Sequence, residues 1–152
     1  MTQRSIITFA LIGSASLLIV AFIFQLLGYA PCKICIWQRW PHGFAILVSL
    51  LWLIKPNNQL LIIGLLTNLL ASSLGIYHSG IEQKWWLGPQ SCTSAEISNL
   101  STTELLAKIM NAPIIRCDEI SWSFLGFSMA NWNALLSFVI ALIWLLAIKH
   151  QK

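Results

Sequence analysis

The chain has 152 residues, of which 57% are hydrophobic and only 9% are charged. So few polar residues cannot cover the surface of a water-soluble globule, and the composition predicts an integral membrane protein. Basic residues outnumber acidic ones by nine to five, but they are scattered singly and form no stripe that would follow a phosphate backbone. We therefore expect a lipid bilayer and no nucleic acid among its partners.

Long uncharged runs predict four membrane-spanning helices, because a charge at the bilayer centre costs about 2.5 to 3.5 kcal/mol. Ile6 to Leu27 gives 22 residues, which is long enough to span and too long for the apolar core of a cleaved signal peptide. The run 40–54 has only 15 residues, so a re-entrant segment competes there unless the helix begins earlier and Arg39 reaches the headgroups. The prediction is a single domain, residues 1–152, forming an all-α bundle of four transmembrane helices at about 6–27, 36–54, 60–77 and 132–148.

Charged residues in the short loops predict the orientation of this bundle. Basic residues next to helix ends mark the cytoplasmic face, and four of them share one face of the four-span arrangement: Arg4, Lys55, Lys149 and Lys152. All five acidic residues fall on the opposite face: Glu82, Glu96, Glu104, Asp118 and Glu119. We therefore expect a multi-pass protein with both termini in the cytoplasm.

All four cysteines lie in the two outer loops of this arrangement. Cys32 and Cys35 fall in the short first loop, and Cys92 and Cys117 fall in the long second loop. Cysteines that only pack would be spread through the helices, and none of these is. Since the outer side of a bacterial inner membrane is oxidising, we expect the protein in that membrane with its cysteine loops in the periplasm.

The spacing of Cys32 and Cys35 makes a C-x-x-C motif, in which one thiol commonly has a depressed pKa. If Cys35 caps or begins the second helix, the partial positive charge of the helix N-terminus favours its thiolate. The motif could instead join Cys92 and Cys117 in a four-thiolate zinc site of a membrane metal-binding or adaptor protein, although their spacing is not that of a zinc ribbon. Redox chemistry without a bound metal is the favoured interpretation.

Two residues near the outer ends of the helices are candidates to assist such chemistry. Arg39 lies one turn after Cys35, where its charge could stabilise a thiolate, although an arginine at a helix end also anchors to headgroups. His78 is predicted to end the third helix at the interface, where it could relay a proton or simply face the headgroups. His42, beside a proline, is expected to serve the local backbone.

The second outer loop, residues 79–131, has its own predicted structure. Ser101 to Glu104 reads as a capping box that opens a short helix through Met110, expected to lie along the membrane surface. A disulfide between Cys92 and Cys117 would close a ring of about 26 residues and tether this helix near the first pair. Tryptophans of both outer loops are expected to anchor them in the headgroup layer: Trp37, Trp40, Trp85, Trp86, Trp122 and Trp132.

Two ordered motifs resemble those of the DsbB family of disulfide bond formation proteins. Residues 31–39, Pro-Cys-Lys-Ile-Cys-Ile-Trp-Gln-Arg, are similar to its C-x-x-C-x-x-x-R signature. Cys117, followed by Trp-Ser-Phe-Leu-Gly at 122–126 and by Met129, resembles the W-x-F-L-G-x-x-M stretch after the family's last essential cysteine. Tyr77-His78 resembles the end of its third helix, so the similarity extends over essentially the whole chain.

The resemblance implies a four-helix bundle that reoxidises a soluble, periplasmic, DsbA-like thioredoxin-fold protein and passes the electrons to a membrane quinone, either ubiquinone or menaquinone. It implies that Cys92 forms the mixed disulfide with the partner and that Cys117 is its pair mate. Cys32 and Cys35 would be reoxidised by the quinone, with Cys35 as the thiolate that faces it. Three further residues would lie near the quinone ring: Arg39, His78 and Met129.

Two other classes of thiol enzyme fit the sequence less well. A carrier that moves electrons outward would need cysteines inside the membrane core, and this chain has none there. An enzyme like vitamin K epoxide reductase shares a four-helix core and quinone chemistry, but its C-x-x-C would be expected late in the chain. The metal-binding or structural adaptor protein stays as the alternative from a different class.

Overall fold

The computed structural model describes residues 2–89, 92, 103, 106, 110 and 115–150. Four long helices make up most of it: α1 (Gln3–Leu26), α2 (Lys33–Ile54), α3 (Asn58–Glu82) and α4 (Met129–Lys149). At each helix start the side chain of the preceding residue accepts a hydrogen bond from a backbone N–H of the first turn, which satisfies a donor that the helix leaves free. These N-cap residues are Thr2, Cys32, Asn57 and Ser128.

The helices form a ring in chain order, in which each helix packs against its two neighbours and α4 closes against α1. One end of the ring is filled by buried apolar side chains from all four helices: Ile6, Ile7, Ala10, Val48, Trp52, Leu61, Ile140, Trp144 and Ala147. At the opposite end a smaller buried cluster contains three of the four cysteines: Cys32, Ile34, Ile81, Cys92 and Cys117. The two ends of the bundle therefore have different chemistry.

Three helices, α1, α3 and α4, are long and apolar enough to cross a membrane. Large apolar side chains on their outer surfaces, such as Phe9, Leu66 and Phe138, are about half exposed, as expected when lipid is the solvent. Helix α2 is also 22 residues long but is not among the three. Its first half contains the polar residues Gln38 and His42, both of which are buried in the protein.

Small residues let α3 approach α4 closely. A Cβ atom added at Gly64 would lie 2.5 Å from the Trp144 ring, and one added at Gly75 would lie 2.8 Å from the backbone nitrogen of Ala134. Close backbone approach at small residues is the usual means of packing helices in a membrane, where no hydrophobic force drives them together.

The helix bounds correct one prediction that bears on function. Helix α3 does not end at Tyr77 and His78 but continues to Glu82, so His78 lies inside the helix and is buried. The continuation is stabilised at its polar end, because the Glu82 carboxylate accepts a hydrogen bond from the Ser128 hydroxyl at the start of α4. His78 therefore faces protein and not the headgroup layer.

A small antiparallel hairpin, absent from the all-α prediction, leads into α4. Strands β1 (Ser123–Phe124) and β2 (Phe127–Ser128) pair across a turn in which Leu125 and Gly126 have φ angles of 53° and 79°. Two successive left-handed residues are typical of the tight turn that joins two strands. Apart from three isolated positions, the predicted surface helix of residues 101–110 lies outside the described residues and stays a prediction.

We expect Gly75→Ala to destabilise the bundle. The new methyl group would meet the backbone of Ala134 on α4, which cannot move as a flexible side chain would. The overpacking should cost about 1–3 kcal/mol, more than the gain of up to about 1 kcal/mol from replacing a helical glycine. Gly43→Ala is the matched control, because a Cβ at Gly43 meets nothing within 4 Å. Thermal unfolding in detergent measures both, and an equal or higher midpoint for Gly75→Ala would contradict the packing argument.

Candidate functional site

Both cysteine pairs meet at one end of the bundle. Cys92 and Cys117 are joined in a disulfide, and the backbone N–H of Cys117 donates to the carbonyl of Cys92 at 2.7 Å. Cys32 and Cys35 are free thiols whose sulfur atoms lie 2.8 Å apart. Cys32 packs with the disulfide in the buried cluster, and Cys35 lies at the edge of that cluster. The structure thus places one oxidised pair beside one reduced pair.

Three donors converge on the sulfur of Cys32. The backbone N–H of Cys35 donates at 3.2 Å, the Cys35 thiol at 2.8 Å and Nε2 of His78 at 3.5 Å. Hydrogen bonds to the charged form stabilise it. The Cys35 thiol, followed by His78, therefore lowers the pKa of Cys32 to about 5, against the opposing effect of burial.

In this geometry Cys32 is the residue that caps the start of α2. The sequence suggested that Cys35 would cap or begin α2, but the cap is Cys32, and Cys35 lies in the first turn as a donor to it. The positive end of the helix therefore acts first on Cys32, the cysteine of this pair whose pKa is lowered.

His78 lies beside both cysteine pairs. Its Nε2 atom faces the sulfur of Cys32 at 3.5 Å, and the backbone of Cys117 is near enough to act on the imidazole electrostatically. The Glu82 carboxylate lies 4.0 Å from the same ring nitrogen, one helical turn further along α3. His78 is only 4% exposed, so all of these contacts are made inside the protein.

Arg39 binds helix α1. Its guanidinium donates to Oε1 of Gln25 at 2.6 Å and to the carbonyl of Ala21 at 3.3 Å, and it lies over the ring of Phe22 with 4.7 Å to the ring centre. The headgroup-anchor interpretation of Arg39 required the side chain to reach outward. Here it is held between α2 and α1.

A cavity of about 500 Å³ opens next to the reduced cysteine pair. Its walls come mainly from apolar side chains of α1, the hairpin region and α4, including Phe24, Trp122 and Leu136. Five of the seven site residues expected from the sequence line it: Cys32, Cys35, Arg39, His78 and Met129. Cys92 and Cys117 do not line the cavity but pack behind Cys32.

A small ion-pair group borders this cavity. Arg116 donates to Asp118 at 2.7 Å and lies 3.2 Å from Glu119, and both Arg116 and Glu119 line the cavity wall. The guanidinium of Arg116 holds the pKa of Asp118 below its usual value. The cavity rim directly after Cys117 is therefore polar while its walls are apolar.

The sequence analysis missed two amide side chains at the site. Gln38 on α2 bonds His78 at 2.8 Å, and Asn133 on α4 bonds both Gln38 at 2.6 Å and His42 at 2.8 Å. The available signal was a glutamine and an asparagine inside otherwise apolar helices, because polar side chains within a membrane bundle usually face its interior and each other.

The four-thiolate zinc site is not formed. Cys92 and Cys117 are bonded to each other, so neither offers a thiolate. Among the described residues the group that could hold a metal ion is Cys32, Cys35 and His78, whose ligand atoms lie within 4.8 Å of one another. Three ligands at a redox-active pair are fewer than the four of a structural zinc site.

Fold and site together define a multi-pass membrane protein in which two cysteine pairs, one oxidised and one reduced, meet beside an apolar cavity. The family model described as "Disulfide bond formation protein DsbB" matches residues 3–147. The chain therefore belongs to the DsbB family, whose members are disulfide oxidoreductases of disulfide bond formation.

Individual relatives agree with this membership. Disulfide bond formation protein B of Pasteurella multocida (strain Pm70) is 32% identical, over 99% of this chain and 90% of that protein. The protein of the same description from Polaromonas sp. (strain JS666 / ATCC BAA-500) is 30% identical, over 93% and 89%. An uncharacterised protein of Rickettsia prowazekii (strain Madrid E) is 30% identical, over 97% and 86%. No solved structure matches the chain.

We expect Cys32 of the reduced protein to react with iodoacetamide well below neutral pH. Because its pKa is lowered to about 5, the thiolate should persist at pH 6 and be lost only as the pH falls through about 5. An ordinary cysteine titrates near about 8.5. Peptide mass spectrometry after timed alkylation reads Cys32 separately, and the same protein unfolded in denaturant is the control. A midpoint above pH 8 for the folded protein would refute the assignment of the thiolate to Cys32.

Proposed function

We propose that this chain oxidises a soluble, DsbA-like thioredoxin-fold protein in the periplasm and passes the electrons to a membrane quinone. The observation that carries the proposal is the meeting of both cysteine pairs in one buried cluster beside the apolar cavity. A dithiol oxidant needs a disulfide for its partner, a second pair within exchange distance and access to a final electron acceptor. All three requirements have candidates at this end of the bundle.

The proposal includes four membrane spans in a bacterial inner membrane, with the cysteine end in the periplasm. At about 1.5 Å per residue, the 22 residues of α2 extend about 33 Å, enough to cross the hydrocarbon core of about 30 Å. Its buried polar residues are shielded by α1 and α3 on either side, as expected of a spanning helix in a bundle. Arg4, Lys55 and Lys149 lie at the opposite end, which supports a cytoplasmic location for that end.

The first step exchanges disulfides with the partner. A thiolate of the partner attacks the sulfur of Cys92, the Cys92–Cys117 bond breaks, and Cys117 leaves as a thiolate. The second thiolate of the partner then attacks the partner's other sulfur atom, the one bonded to Cys92 in the mixed disulfide. Cys92 is released and the partner is left oxidised. Two electrons have moved from the partner into the second pair, by ordinary thiol–disulfide exchange.

The second step moves the electrons to the first pair. Cys32 packs against Cys117 and Cys92, so we assign exchange with the second pair to Cys32. Its product is a reduced Cys32–Cys35 pair beside a restored Cys92–Cys117 disulfide, which is the combination of redox states in this structure. We assign the acceptor-facing role to Cys35, which is less buried and lines the cavity one turn before Arg39.

The cavity fits a quinone ring. Its volume of about 500 Å³ is in the range of small-molecule sites, and such sites combine apolar walls with a few polar groups. Arg39, His78 and Met129 would hold the ring, with Arg39 offering a permanent positive charge. When bound, a quinone takes up the two electrons and two protons that the Cys32–Cys35 dithiol gives up as it becomes a disulfide. The Cys35 thiol proton already lies in a hydrogen bond to Cys32, so it can shift across 2.8 Å to make Cys35 the thiolate.

A quinone is also the kind of acceptor that the energetics require. A strongly oxidising thioredoxin-fold partner has a reduction potential of about −120 mV. Ordinary thiol pools, at about −200 mV, cannot reoxidise it. Which quinone is used and which thiol protein docks are properties of the membrane and the periplasm in which the chain works.

Cys35→Ala should stop quinone reduction while a mixed disulfide between Cys92 and the partner still forms. The variant keeps the second pair but has no first-pair disulfide to receive electrons. Purified protein is mixed with a reduced thioredoxin-fold partner and a soluble ubiquinone analogue, and loss of the quinone absorbance is followed while non-reducing gels trap the mixed disulfide. Cys92→Ala, the matched control, should lose both signals. Rapid quinone turnover by Cys35→Ala would contradict the proposed transfer of electrons through the Cys32–Cys35 pair.

Arg39→Gln should raise KM for the quinone analogue about tenfold or more and leave KM for the reduced partner unchanged. A hydrogen bond to a charged group contributes about 1.5–3 kcal/mol, and glutamine keeps polarity but removes the charge. Arg4→Gln, at the opposite end of the bundle, controls for loss of a basic residue. Steady-state kinetics with each substrate varied separately make the comparison, and equal KM for quinone in Arg39→Gln and the parent would count against a quinone contact.

A further inference from the structure

A row of hydrogen bonds links three helices behind the cysteine pair. It runs from His42 on α2 to Asn133 on α4 at 2.8 Å, from Asn133 to Gln38 on α2 at 2.6 Å, and from Gln38 to His78 on α3 at 2.8 Å. His78 then faces the sulfur of Cys32 at 3.5 Å. Gln38, His42 and His78 are each less than 7% exposed, so these three side chains are shielded from water.

The amide groups determine which atom donates and which accepts in each hydrogen bond of this row. An amide nitrogen only donates and an amide oxygen only accepts. The Nδ2 of Asn133 donates to Oε1 of Gln38, and the Nε2 of Gln38 donates to Nδ1 of His78. Nδ1 of a neutral His78 is therefore the acceptor, and the ring proton is on Nε2, facing Cys32.

The far end of the row fixes the amides themselves. Oδ1 of Asn133 accepts from Nε2 of His42 at 2.8 Å and from the Ser137 hydroxyl at 3.4 Å. With two donors on this oxygen, the nitrogen of Asn133 is turned toward Gln38. Each member of the row therefore orients the next.

We propose that Gln38 is a positioning residue of the thiol site, which holds His78 with its proton on Nε2 so that the imidazole donates to Cys32. Asn133 and His42 support it by fixing the orientation of its amide. The inference rests on the proposed function for its purpose, because a Cys32 thiolate is the reactive form in thiol–disulfide exchange. The opposite tautomer would present a lone pair of His78 to the thiolate and remove one of its three donors.

Alkylation of Cys32 tests the proposal without quinone or partner. In the full chain, Cys35→Ser leaves Cys32 as the titrating thiol of the pair and keeps a hydroxyl donor at position 35. Adding Gln38→Leu removes the donor to Nδ1, and we expect the alkylation midpoint to rise by about one pH unit and the rate at pH 6 to fall up to about tenfold. Gln3→Leu, which changes an amide bonded at the opposite end of the bundle, should leave the profile unchanged.

Gln38→Glu separates positioning from packing. Its carboxylate accepts from Nδ1 of His78, the ring then carries a proton on both nitrogens, and Nε2 still donates to Cys32. The low midpoint should therefore return with glutamate but not with leucine. A second readout, the ¹⁵N chemical shifts of the histidine ring in detergent micelles, should give the Nε2–H form for His78 in the parent and a loss of that form in Gln38→Leu.

Three results would overturn the proposal: an unchanged midpoint in Gln38→Leu, an equal rise in the leucine and glutamate variants, or a parent His78 protonated on Nδ1 alone. These readouts involve neither quinone nor partner. A parent protein that fails to reduce quinone but shows the expected alkylation and NMR behaviour would refute the proposed function and leave the role of Gln38 intact. A parent protein that reduces quinone without that alkylation and NMR behaviour would refute the role of Gln38 and leave the proposed function intact.

Discussion

The contact between His78 and Cys32 joins the parts of the molecule on which the site depends. Cys32 is the cap of α2, and His78 lies on α3, so the 3.5 Å approach requires these two helices to be packed in one register. The backbone of Cys117 lies near the same imidazole, and the second cysteine pair packs against Cys32. A shift of α3 by a single residue would rotate His78 by about 100° away from Cys32.

That register is secured at the opposite end of the bundle. There the helices are locked by apolar packing around Trp144, with Gly64 allowing α3 to approach the ring of Trp144 on α4. Close-packed interiors deform little. The apolar end around Trp144 therefore fixes the crossing angles and the axial positions of helices whose other ends carry polar groups. The polar end can then hold the buried Gln38 in its hydrogen bonds to Asn133 and His78, which a loosely packed bundle in lipid could not maintain.

The sequence was sufficient for the helices and for the grouping of the cysteines, because charge-free runs and loop charges report directly on the bilayer. The sequence was insufficient to predict which of several possible partners a given side chain contacts. Whether Cys32 or Cys35 takes the cap depends on a single residue at the start of α2, which periodicity does not resolve. His78 was expected at the interface because the third helix was predicted to end there, and the bond from Ser128 to Glu82, which stabilises the longer helix, joins residues 46 positions apart.

Burial of the disulfide decides which reaction the described arrangement serves. Cys92 and Cys117 are 1% and 0% exposed, so a soluble protein cannot bring a thiolate in line with their bond while they are packed against Cys32 and Ile81. Exchange between the two pairs, by contrast, needs no access from outside. In the proposed cycle the arrangement therefore fits the exchange between the two pairs, in which the low-pKa thiol of Cys32 lies against the disulfide and beside the cavity. In the proposed cycle, exchange with the partner requires the disulfide to become accessible, so its packing against Cys32 and Ile81 is what must open.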